Sequence, residues 1–210
     1  SNAPLTVNIG GDRGSLTIDF SEETLRGEGT VDLGVYGYFH SSGNFAFEKS
    51  QDELIDVDGT TVLPVELLQV GVSDVTAFAG INGPADSGSA LGLALTGVDF
   101  ALALMKPTNA DPAGDNRTFT ALKASVGSAS FVGLTDVTVA VTDFSIAVNK
   151  GGGTLNGVAN SAVVDYSNAP LTVNIGGDRG SLTIDFSEET LRGEGTVDLG
   201  VYGYFHSSGN

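Results

Sequence analysis

Apolar and polar residues alternate along most of this chain with a period of two. In "VDFALALM", Val98, Phe100, Leu102 and Leu104 fall on one side of an extended backbone. In "DVTVAVTDFSIAVNK", Val137, Val139 and Val141 alternate, and then Phe144, Ile146 and Val148 do. "TVDLGV" places Val31, Leu33 and Val35 together, and "PLTVNI" and "SLTIDF" follow the same rule. Successive side chains of a strand point to opposite faces, so these runs predict β-strands with one apolar, inward face. Helical periodicity is nearly absent. "SEETLRGEG" (Ser21–Gly29) is the one segment that reads as a helical turn, with Ser21 as its cap.

The apolar set changes parity partway along three runs. Leu91, Leu93 and Leu95 are odd, but beyond Gly97 the apolar positions are even. Val70 and Val72 give way to Val75, Ala77 and Ala79 across Asp74, and the same change crosses Asp143. A one-residue slip would throw each apolar set onto the opposite face unless the chain bulges there. β-Bulges are therefore predicted at Asp74, Gly97 and Asp143. "GGDRG" (10–14), "SSGN" (41–44), "NGPADSGS" (82–89), "NADPAGDN" (109–116) and "KGGG" (150–153) carry the residues of chain reversals.

Residues Ser1–Asn44 and Ser167–Asn210 are identical at every position, an offset of 166. The identity predicts a window on a longer tandem array, and the absence of an initiator Met fits an internal piece of one. Residues 45–210 then form one full repeat, and 1–44 are a first copy of its last part, with no separate domain of their own. Equivalent contacts are expected around the two copies, each repeat closing the exposed end of its neighbour.

Composition narrows the partners. The net charge is −17, from 26 acidic and 9 basic residues, with no Cys. Such a surface repels nucleic acid and anionic membranes and keeps fibres apart. A disulfide framework, a thiolate metal site and a Cys nucleophile are excluded. The longest apolar run, Leu91–Met105, is interrupted by Asp99 and is too short for a membrane helix, so no membrane insertion is expected.

Little catalytic chemistry is legible. His40 and His206 are one repeat position seen twice, and each reads as a surface or interface histidine beside "SSGN". Two loops carry candidate calcium ligands: Asp56 and Asp58 in "DVDG", and Asp111, Asp115 and Asn116 in "ADPAGDN". Clustered oxygens suit a hard cation, and solvated polar turns are the alternative. An EF-hand is excluded, since Thr60 and Leu67 occupy its later ligand positions. Asp74, Asp99, Asp136 and Asp143 are expected to bond backbone amides freed by the bulges. Tyr36, Tyr38 and His40 alternate toward one face, a candidate partner or sugar strip. Nothing predicts an enzyme, and no cofactor is expected beyond calcium.

The stretch "DFALALMKP…TFTALKASVGSASFVGLTDVTVAVTDFSIAVNKGGG", roughly residues 90–153, resembles the tandem repeats of giant bacterial secreted surface or filament proteins, the large repetitive, adhesin-like proteins. The calcium nonapeptide of other secreted repeats is absent, since "GGDRGS" does not fit it. The resemblance implies a non-enzymatic extracellular or cell-surface role. The expected architecture is all-β: an elongated tandem repeat of long, bulged, mostly antiparallel strands in packed layers, with a β-solenoid as the alternative. The expected function is a structural filament or stalk repeat stacking on identical neighbours, with a calcium- or glycan-binding adhesin repeat as the alternative.

Overall fold

A computed structural model describes residues 5–8, 15–18, 24–111, 114–134, 136–201 and 205–210. The chain is all-β. A short hairpin, β1 (Leu5–Asn8) with β2 (Ser15–Ile18), comes first. Six strands follow: β3 (Leu25–Val35), β4 (Phe39–Val57), β5 (Thr61–Ile81), β6 (Leu91–Pro107), β7 (Asp115–Val132) and β8 (Val137–Leu155). Each pairs antiparallel with the next. The two-residue β9 (Val158–Ala159) folds back on β8. A second hairpin, β10 (Leu171–Asn174) with β11 (Ser181–Ile184), repeats the register of the first: Leu171↔Ile184 matches Leu5↔Ile18. Finally β12 (Thr190–Val201) pairs with β8, and β13 (Phe205–Gly209) pairs with β12. One antiparallel sheet therefore runs β3–β4–β5–β6–β7–β8–β12–β13.

All three predicted bulges are present. Asp74, Gly97 and Asp143 have φ of 51°, 62° and 51°, and the ladder of β5 shifts register on both sides of Asp74. The parity changes line up across β5–β8, so the apolar residues stay on one face from end to end. Phe47, Val70, Leu102, Leu122, Val148 and Leu191 form one cross-strand row. Beyond the bulges, Ala77, Leu95, Ala129, Val141 and Val197 form another.

That apolar face is not the inward one. The core lies on the opposite, front face, over the half of the sheet that holds the β4–β5 turn. There β10–β11 and the segment 162–166 cover β5, β6 and β7, and Val173, Ile175, Ile184 and Val164 bury against Val65, Leu67, Ala101, Ala103, Met105, Phe119 and Ala121. The sheet residues under the hairpin are mostly small because it sits close: a side chain at Gly71 would collide with the Asn174 carbonyl. The large alternating residues instead line the back face, which no described residue covers. The molecule accordingly exposes 12599 Å², against about 9,100 Å² for a compact monomer of its mass.

Several local expectations are corrected. "SSGN" (41–44) lies inside β4, where Gly43 makes room for Val75. "KGGG" (150–153) lies inside β8, and the reversal comes later, at Asn156–Gly157. Those glycines admit a close strap, because a side chain at Gly151 would strike the Ala162 carbonyl. The helical turn does not form: the second copy of that segment enters strand at Thr190 and the first at Leu25, while residues 21–23 lie outside the described residues. The segment 82–89 joins β5 to β6 as expected, while of 109–116 the residues Asp115 and Asn116 already belong to β7 and 112–113 lie outside the described residues.

Candidate functional site

The candidate calcium ligands fall into two separate turns at the same end of the sheet. Asp56 is the last residue but one of β4 and Asp58 begins the turn to β5, where Asp58 Oδ1 accepts the Val163 amide at 3.1 Å. The Asp56 carbonyl accepts the Asp165 amide at 2.8 Å. These two acids thus tie the 163–165 strap to the β4–β5 turn. Asp56 Oδ1 is shielded from solvent and has no hydrogen-bond partner.

In the other turn Asp115 is committed to Arg117. Its two oxygens accept Nε at 2.9 Å and Nη2 at 2.7 Å, a forked ion pair. That hydrogen bonding holds the Asp115 carboxyl below the ordinary carboxylate range and raises Arg117. The Arg117 guanidinium lies 5.9 Å from the centre of the Phe119 ring. Asn116 pairs with Thr154 in the ladder, and the Asp111 amide donates to the Asp115 carbonyl at 2.9 Å. The structure therefore does not join Asp56 and Asp58 with Asp111, Asp115 and Asn116 into one ligand set. Among the described residues no three His, Asp or Glu side chains converge.

The bulge aspartates do more than bond local amides. Asp99 is 5% exposed and accepts the Asp74 amide on Oδ1 at 2.8 Å, which meets the expectation for a bulge. Its Oδ2 accepts Arg179 Nη1 at 2.7 Å, while Arg179 Nη2 reaches Asp74 at 2.6 Å. Arg179 belongs to the β10–β11 turn, a single 3-10 turn at Gly177–Arg179. It plugs the hairpin into the row of bulges, with Ser73 Oγ donating to the Gly176 carbonyl at 2.8 Å. Sequence reasoning missed Arg179, since nothing local links "GGDRG" to acids 80 and more residues away.

Asn149 was missed as well. It is 1% exposed on β8 and donates through Nδ2 to the Val164 carbonyl at 2.9 Å and the Glu188 carbonyl at 3.0 Å. It fastens the strap and the entry into β12 to the sheet. The proposed aromatic strip is not a strand face: Tyr36 (97% exposed) and Tyr38 (62%) stand in the β3–β4 turn, with the Tyr38 amide donating to the Val35 carbonyl. His206 lies 3.3 Å from Asp198 on the surface, an ion pair when the imidazole is protonated.

A concavity of about 550 Å³ on the back face is lined by Lys49, Glu66, Leu68, Leu104, Lys106 and Thr120. Its charges are spent on one another, with Glu66 3.3 Å from Lys106 and 3.6 Å from Lys49. No described helix is long and apolar enough to cross a membrane.

The two copies share registers but not surroundings: β13 meets β12 in the register that β4 uses with β3, Val201↔Phe205 matching Val35↔Phe39, whereas among the described residues only the second copy pairs with β8, so the equivalent contacts expected around the two copies are met only in part. Comparison with known proteins returns no matching family model, no matching curated protein and no matching solved structure.

Proposed function

We propose that this chain is a structural repeat of an extracellular or cell-surface filament or stalk, stacked end to end on identical neighbours. The observation that carries this reading is the fate of the second copy. Instead of folding apart, it seats its hairpin on the front face and adds β12 and β13 to the same sheet. A segment that repeats letter for letter thus closes the end of the sheet built by the residues before it. The work such a chain does is mechanical: cross-strand hydrogen bonds carry load, and net charge −17 keeps neighbouring fibres apart. Antibodies against the purified chain, applied to intact source cells in the electron microscope, test it. Labelled filaments or stalks outside the cell are expected. Label confined to the cell interior overturns the reading.

One observation favours calcium-dependent rigidity as a second reading. A carboxylate oxygen shielded from solvent and left without a partner, as Asp56 Oδ1 is, is the kind of group a bound cation satisfies. Thermal melting in calcium and in chelator decides: a higher Tm with calcium that Asp56→Asn abolishes supports it, and unchanged melting rejects it.

A further inference from the structure

Among the described residues, the strand β3 is hydrogen-bonded on one side only, to β4. It is 11 residues long, regular, and free of Pro and Lys, so neither shortness, a bulge nor proline blunts this edge, and its charges are Arg26, Glu28 and Asp32. The same text, as β12, is an inner strand with β8 on one side and β13 on the other.

The glycines of this text fit two neighbours, and each copy displays one of them. In β3, a Cβ at Gly27 would sit 2.7 Å from the Phe47 ring, and one at Gly29 would sit 3.3 Å from the Phe45 ring, both on β4. In β12, the equivalent Gly195 lies under Phe144 of β8, where a Cβ would come within 3.0 Å of that ring, while one at Gly193 would meet it in an ordinary contact at 3.8 Å. A strand whose glycines make room for rings on both sides is built for the interior of a sheet.

We infer that successive repeats form one uninterrupted antiparallel sheet, in which, with each period counted from the segment 1–44, β3 of one period pairs with β8 of the period before it. The register is the one β12 already shows: Leu25 opposite Val148 of the preceding copy, through Val35 opposite Val137. The inference rests on the tandem-array reading and specifies its joint. Each 166-residue period contributes six long strands, β3–β8, to the axis. At about 4.8 Å per strand the rod gains about 29 Å per period.

Chains extended by several further periods test the joint. Contour lengths measured in electron micrographs should grow by about 29 Å per added period. Growth of about 40 Å or more, the diameter of a separate globular module of this size, overturns the inference. Hydrogen exchange supplies a second readout, because the peptides 25–35 and 191–201 are identical. In the 210-residue chain their exchange envelope should split equally into an edge and an inner population. The inner share should rise to two-thirds with one more period and three-quarters with two; a share that stays at one half overturns the joint. Both measurements use recombinant chains, so they can fail while the cellular location stands, and the converse also holds.

Discussion

At the scale of single residues, the hairpin seat is where substitutions tell most. Gly71 lies beneath Asn174 and Ile175 with no room for a side chain. Gly71→Val should cost about 1–3 kcal/mol through overpacking, read as a lower urea midpoint, with faster protease cleavage in the 176–180 turn. Arg179→Ala should also speed that cleavage, because buried Asp99 and exposed Asp74 lose their shared cation while the sheet remains. The Asp115–Arg117 pair makes a pH prediction. The Asp115 pKa is lower folded than unfolded, so its stabilisation is complete above the unfolded value and is lost as pH falls through the folded one. Tm should therefore decline in acid, and Asp115→Asn should flatten that decline while lowering Tm at neutral pH.

At the scale of elements, the row of bulges is the organising device. Gly97 sits at φ 62°, so Gly97→Ala should cost about 1–2 kcal/mol for a left-handed backbone with a Cβ. Deleting Gly97 would leave Leu95 and Val98 two residues apart, so the apolar residues would keep one face without a bulge; because β6 pairs with β7 without a shift across Gly97, circular dichroism should report a lower melting midpoint with the cooperative melt retained. The strands and their bulges were legible because period two and its parity slip are local properties of the chain. "SSGN" and "KGGG" were misread for an equally physical reason. Glycine marks a reversal when it supplies positive φ, but here Gly43 and Gly151 serve close approach to residues far away in sequence.

At the scale of the whole molecule, the sheet is apolar on the back and carries its small covering hairpin on the front. Large apolar surface that stays exposed has consequences. The native chain should bind an apolar fluorescent dye such as anilinonaphthalene sulfonate, and Leu102→Lys together with Leu122→Lys should reduce the signal without unfolding the front-face core. Of the candidate cation ligands, the sequence located the turns but not their bonding. Asp115 was committed to Arg117 two residues on, and Asp58 to a strap more than 100 residues away.

The amino-acid sequence alone determined that this is a bulged, antiparallel β protein whose first 44 residues recur exactly at an offset of 166, because alternation, parity and identity need no knowledge of distant contacts. Only the tertiary structure decided which face is the core. Alternation marks two faces but not which one will be covered. That choice was made by a hairpin whose close seat requires Gly and Ala beneath it, and by an arginine, Arg179, that finds its acids 80 and 105 residues away in the chain.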